Sequence, residues 1–313
     1  MRIGIVGAGA IGCLFGALLS SAGNDVTLVG RNPRVVSVIR QKGVRVREGT
    51  KSLTASVTAE RSPADLSQVE LVILAVKSYD TEEAAKIHRN RIGSGAPVLT
   101  VQNGLDNVEV LRKFLRRELV LGGATTEASL SVGPGKVIRT GRGRTWIGEP
   151  DNSLHQQCAA IAREFRKSGI RTGVTRNIRG VMWSKAIVNA AINPLSALTG
   201  MRNGLLAEFP EIREAMLGVV REGTAVSRAE HIVLDPPDPG QLLFSVLRAT
   251  AMNKSSMLQD VERERKTEIR QLNGALVKHG LKHKVSTPLN QLLTALVITL
   301  ERVNFQTRAG FRG

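Results

Sequence analysis

Aromatic side chains are scarce: seven Phe, two Trp and one Tyr make up 3% of the 313 residues. That argues against a nucleic-acid partner, because unpaired bases are bound on stacking platforms that this chain can hardly furnish. Cysteine is nearly absent as well. Cys13 and Cys158 are the pair, and Cys13 lies inside a glycine-rich turn, so no disulfide framework and no cysteine metal site is indicated, and a reducing, cytoplasmic setting fits best. No uninterrupted apolar run is long enough to cross a bilayer, so no membrane partner is expected. The early run from Ile3 to Ile11 is broken by glycines and lacks a signal-peptide layout. Acidic residues are outnumbered, 27 against 44 Lys and Arg, for a formal net charge of +17. The basic residues are scattered through 31–47, 86–91, 112–117, 139–144 and 263–284, which reads as a solvated surface that attracts anionic small molecules.

What is present suffices for two domains, with 42% hydrophobic residues to bury. The run from Met1 to Gly7 reads as a strand, followed by glycines and a helix over Ile11 to Ser21. Further apolar runs at Asp25 to Val29, Leu71 to Val76 and Pro97 to Val101 alternate with helical patterns at Val35 to Lys42, Thr81 to Arg91 and Val108 to Arg116. Continuous apolar strands separated by helices predict a parallel sheet covered on both faces. Beyond about residue 175 the pattern is helical, punctuated by Asn193-Pro194, Asn203-Gly204, Asp235-Pro236-Pro237 and Thr287-Pro288. The expectation is an α/β Rossmann-type domain over 1–175 and an all-α domain over 176–313.

Gly7-Ala8-Gly9-Ala10-Ile11-Gly12 matches G-x-G-x-x-G between a strand and a helix. Gly7 permits the tight turn, Gly9 lets a pyrophosphate approach the backbone, and Gly12 allows helix and strand to pack closely. The second strand ends in Gly30-Arg31 where an NAD site usually carries Asp or Glu. Arg31 can pair with a 2′-phosphate, which favours NADPH; an ordinary surface arginine is the alternative. Lys77 and Asn103 follow apolar strands at the edge where ligands of such sheets collect, though a solvent lysine and a turn asparagine explain them equally well.

In the helical half, Lys185, Asn189 and Asn193 recur every four residues, displaced by only about 40° per step, so they form one stripe on an otherwise apolar helix. A solvated helix face is one explanation. A reaction that delivers hydride to a carbonyl is another, because the nascent alkoxide needs a proton that a lysine of lowered pKa can give, while asparagines bind hydroxyl or carboxylate groups. Further on, if 253–274 is one helix, Ser256 and Glu268 lie about 18 Å apart along it and serve different partners.

Together these residues resemble the ketopantoate reductases, over a span from Met1 to about Val285. The resemblance rests on the glycine turn, Lys77, Gln102-Asn103-Gly104, Trp183-Ser184-Lys185 with Asn189 and Asn193-Pro194-Leu195, Asn203-Gly204, Ser255 to Asp260, and Thr267-Glu268-Ile269. It implies that Lys185 is the proton donor and that Asn103 lies beside both nicotinamide and substrate. Asn189, Asn193, Asn203 and Ser256 would bind the oxo acid, and Arg31, Lys77 and Glu268 would contact or support NADPH, with a backbone contact near Ser129. The implied reaction is reduction of 2-dehydropantoate to pantoate in a cleft between domains of a homodimer. Reduction of another 2-oxo acid, or a non-catalytic dinucleotide sensor or nucleic-acid-binding protein on the same fold, is the competing expectation.

Overall fold

The computed structural model describes residues 1–151 and 155–310, which form two compact units. Met1–Gln102 with Asn107–Ile178 makes the first, and Asn103–Asp106 with Arg179–Gly313 the second.

The first unit opens with β1 (Arg2–Val6), α1 (Ala10–Ser21), β2 (Asp25–Gly30) and α2 (Pro33–Lys42). Three short strands follow: β3 (Val44–Glu48), β4 (Lys51–Ala55) and β5 (Thr58–Arg61). Then come β6 (Leu71–Leu74), α3 (Thr81–His88), β7 (Val98–Thr100), α4 (Asn107–Leu111) and β8 (Val120–Thr125). The unit ends with β9 (Ala128–Gly133), β10 (Lys136–Gly141), β11 (Thr145–Gly148), α5 (His155–Lys167) and β12 (Thr172–Val174). Eight strands form one sheet in the order β12-β11-β8-β7-β6-β1-β2-β5. All of its pairings are parallel except β8 with β11, so the sheet departs from the all-parallel expectation at one seam. β6 is buried at every position, as a strand covered on both faces must be.

A separate sheet, β4-β3-β10-β9, has no counterpart in the sequence reading. In β3 the pattern Val44-Arg45-Val46-Arg47 alternates buried and exposed, because only one face of this sheet meets the core. Helices in the first half end earlier than expected, α3 at His88 and α4 at Leu111.

The second unit is helical: α6 (Ile178–Thr199), α7 (Asn203–Leu206), α8 (Pro210–Ala229), α9 (Pro239–Ala249), α10 (Ser256–Glu262), α11 (Asn273–Lys282) and α12 (Pro288–Gly310). Its core gathers around α6, with Trp183, Ile187, Ile192 and Leu195 packed among Met216, Val219, Leu243 and Leu276. Asn193-Pro194 does not interrupt α6, contrary to the sequence reading. Proline lacks the N–H that would bond the Ala190 carbonyl one turn back. Asn273 Nδ2 supplies that bond instead, 3.0 Å from Ala190 O, and donates also to Asn290 Oδ1 at 2.9 Å. Asn273 is wholly buried to do this. No described helix is long and apolar enough to cross a membrane.

Candidate active site

In the first unit the glycine turn sits where strand order reverses, with β1 flanked by β2 on one side and β6 on the other. Gly7 has φ +123°, and a Cβ there would lie 2.6 Å from the backbone of Ala75 and Val76 as the chain leaves β6. A Cβ on Gly12 would lie 1.9 Å from the Gly7 carbonyl oxygen, so the start of α1 packs on the turn as only glycine allows. At Gly9, the N-cap of α1, a Cβ would meet nothing within 4 Å. No side chain caps that helix, and no acidic residue stands in its first turn. Backbone N–H groups and the positive end of the helix dipole therefore face open space across Ala8, Gly9, Ala10 and Ile11, which fits the pyrophosphate of a dinucleotide.

Gln102 ties the neighbouring strand ends together. Its buried amide donates to Val76 O and to Thr81 Oγ1, both at 2.9 Å, and accepts from Thr100 Oγ1 at 2.9 Å. This fixes the turn that presents half-buried Lys77. Arg31, just past β2, is exposed, and its guanidinium bonds Asp80 and Glu83, the latter at 3.2 Å. Ser129 pairs with Arg139 across β9 and β10, and its hydroxyl is buried without a hydrogen-bond partner among the described residues.

In the second unit, Lys185 and Asn189 are the only positions between Met182 and Ala197 of α6 that keep partial exposure. A solvated helix face would show a wide exposed band, so the polar stripe is instead a narrow opening in a buried helix. Lys185 Nζ donates to Asn103 Oδ1 at 2.9 Å, and Asn103 Nδ2 donates to Glu268 Oε2 at 3.2 Å. These two bonds fix the orientation of the amide, oxygen toward the ammonium and nitrogen toward the carboxylate. Burial lowers the Lys185 pKa from 10.5 to about 8, against the opposing pull of the Glu268 charge. A lysine in that range is charged at neutral pH yet releases its proton readily.

Three sequence-predicted residues thus meet: Asn103, Lys185 and Glu268. Asn189 and Asn193 continue the stripe along α6 at about 6 Å per step, the second fully buried. Asn203 is buried, with Nδ2 bonded to Thr250 Oγ1 at 2.9 Å and Oδ1 without a partner among the described residues. Ser256 is exposed in the first turn of α10, which Ser255 caps by accepting from Leu258 N–H at 3.0 Å. The segment 253–274 is not one helix, so the axial separation expected for Ser256 and Glu268 does not apply. α10 stops at Glu262, Glu264 takes a left-handed φ of +52°, and Glu268 begins a short 3-10 turn. Sequence reasoning passed over Asp106, Glu230, Asn273 and His279; their partners lie 49 to 173 positions away in most cases, beyond any local spacing.

The family profile described as "Ketopantoate reductase PanE/ApbA" matches residues 3–152, and its C-terminal counterpart matches 177–301. The chain belongs to the ketopantoate reductase family. Relatives include the 2-dehydropantoate 2-reductases of Pyrococcus abyssi, 39% identical over 95% of this chain and 97% of that one, and Archaeoglobus fulgidus, 36% identical over 96% and 98%. Among solved structures, a ketopantoate reductase from Ralstonia eutropha superposes with TM-score 0.88 at 33% identity, covering 97% of this chain and 99% of that one. D-mandelate dehydrogenase with NADH and anilino(oxo)acetate superposes with TM-score 0.93 at 28% identity and the same coverage. The ketopantoate reductase fold, a mostly parallel sheet unit followed by a helical unit, is the one found here, and its members are dinucleotide-dependent oxidoreductases.

Proposed function

We propose that the protein reduces 2-dehydropantoate to pantoate with NADPH, and that Lys185 is the proton donor. The observation that carries this is the Lys185–Asn103–Glu268 chain, with a lysine brought by burial to a pKa of about 8. A bound reduced nicotinamide supplies the hydride for C2 of the oxo acid. Lys185 then gives its Nζ proton to the C2 oxygen and becomes a neutral amine, which water reprotonates. Glu268 lowers the cost of keeping the ammonium charged until that moment, and Asn103 turns its carbonyl oxygen to the ammonium and holds one of its N–H groups in a fixed direction. Asn189, Asn193, Asn203 and Ser256 are assigned to the oxo acid, and the buried, unpartnered Oδ1 of Asn203 suits a hydroxyl donor.

The glycine turn is assigned to the pyrophosphate, Arg31 and Lys77 to the 2′-phosphate side, and Ser129, Asn103 and Glu268 to the nicotinamide half. A homodimer in the cytoplasm, acting in pantothenate and coenzyme A synthesis, completes the reading. The relatives named 2-dehydropantoate 2-reductase support the substrate and the pathway in this reading.

Another 2-oxo acid is the second reading, favoured by the close superposition of D-mandelate dehydrogenase. The test is kcat/KM for 2-dehydropantoate, an aryl-substituted and a straight-chain 2-oxo acid with NADPH and with NADH, followed by loss of reduced-nicotinamide absorbance. The proposal expects 2-dehydropantoate with NADPH to exceed the others; an aryl acid turned over faster would replace the substrate, and equal rates with NADH would remove the role of Arg31.

A further inference from the structure

Asn103–Asp106 is a four-residue segment that follows β7 in the chain but belongs to the helical unit. Its attachments explain this. Asp106 Oδ1 lies 2.8 Å from His279 Nε2, Asp106 Oδ2 accepts from Lys278 Nζ at 2.8 Å, and Leu105 N–H donates to Gln271 O at 3.3 Å. The first residue of the same segment, Asn103, bonds Lys185 and Glu268.

His279 is the pivot. Its other ring nitrogen, Nδ1, lies 2.6 Å from Glu230 Oε1 at the end of α8. A neutral imidazole has one N–H and can donate to one carboxylate only, so a ring placed between two carboxylates is satisfied as imidazolium. The Asp106 hydrogen bond first, and that of Glu230, favour this charged form against the opposing effect of burial. Lys282 approaches Glu230 at 3.0 Å and Lys278 approaches Asp106 at 2.8 Å, so both carboxylates have a further cationic neighbour. Those lysines are more than 60% exposed, whereas the His279 side chain is 17% exposed; exposed ion pairs contribute little, and the attachment of the segment rests mainly on His279. Its ring also packs edge-on against Trp183 with centroids 5.3 Å apart, and Trp183 precedes Lys185 by two residues on α6. The imidazole therefore braces both sides of the Asn103–Lys185 bond, one through Asp106 and the other through Trp183.

We infer that His279 is a positioning residue for the reduction: by bridging Asp106 to Glu230 it fixes the segment whose Asn103 amide orients the Lys185 ammonium. The inference rests on Lys185 acting as proton donor. Small displacements of such groups cost rate steeply, up to about 100-fold for about 1 Å.

The experiment is a double-mutant cycle of His279→Gln and Asn103→Ala, reading kcat and KM for the oxo acid and the dissociation constant of NADPH by fluorescence. His279→Gln should lower kcat by about tenfold with NADPH affinity unchanged, and should cost less than about twofold more in the Asn103→Ala background, because coupled positions are not additive. Equal losses in both backgrounds, or wild-type kcat for His279→Gln, would overturn the inference. Should His279→Gln fail to fold, Asp106→Ala severs the same bridge from the other side and runs the same cycle with the same two outcomes. Lys185→Ala separates the two levels of the argument. An active Lys185→Ala enzyme removes the donor and the positioning role with it, whereas an inactive one alongside an additive cycle removes the positioning role alone.

Discussion

Replacing Glu268 by Gln keeps the shape of the side chain that accepts from Asn103 but deletes the negative charge that raises the Lys185 pKa. The carboxylate and the ammonium are joined through a single amide; two unit charges about 7 Å apart at an effective dielectric of about 20 to 40 interact by about 1–2.5 kcal/mol, or about one to two pKa units. The Lys185 pKa should therefore fall below its value of about 8. The protonated lysine is the acid, so reduction runs at its full rate below the lysine pKa and declines tenfold per pH unit above it. In the wild type that decline should start near pH 8. In Glu268→Gln it should start about one to two units lower, leaving the rate at the acidic end nearly intact. Single-turnover reduction at saturating dinucleotide, measured from pH 5.5 to 10, reads the shift directly. An alkaline limb that stays in place or moves upward would show that Glu268 does not tune the lysine.

Arg31→Ala should weaken NADPH by about tenfold or more and NADH little, because one guanidinium–phosphate contact is lost. Asp80→Asn with Glu83→Gln should do the opposite, strengthening NADPH about threefold to tenfold by freeing Arg31 from two carboxylates that repel a 2′-phosphate; dinucleotide titrations of both variants check the pair, and equal effects on the two cofactors would refute it. Asn273→Leu should lower stability by about 2–4 kcal/mol in chemical denaturation, since it strips donors from the buried Ala190 O and Asn290 Oδ1. Adding Pro194→Ala should recover part of that loss by restoring a backbone donor to Ala190, and no recovery would contradict the account of how α6 passes through its proline.

Where sequence could be read, the signal was local. The order of β1, the glycine turn and α1 follows from an apolar run, three glycines and a helical stretch of small and apolar residues within 21 residues, and the structure shows why glycine is needed where Gly7 meets Ala75 and where Gly12 meets Gly7. The Lys185 stripe was legible for the same reason, since a four-residue spacing maps directly onto a helix face. The small sheet was harder. β3 alternates cleanly, but β4 is short and polar, and β10 pairs with β3 from about ninety positions away. Long-range polar bonds were not legible at all. Pro194 reads as a helix end until Asn273, 79 residues on, is placed against Ala190 O, and Asp106 and His279 read as unrelated surface charges until the fold brings them to 2.8 Å. The break after α10 depends on a left-handed Glu264, a backbone state that a glutamate does not advertise.

The central claim is that the ammonium of Lys185 protonates the reduced carbonyl. Single-turnover reduction by Lys185→Ala, compared with its NADPH dissociation constant, measures this most directly. The account predicts a rate lower by about 100-fold to 10,000-fold with dinucleotide affinity within about twofold of wild type, since a general acid acts on the transition state and not on the cofactor's grip. A Lys185→Ala enzyme that reduces the oxo acid at the wild-type rate would contradict it.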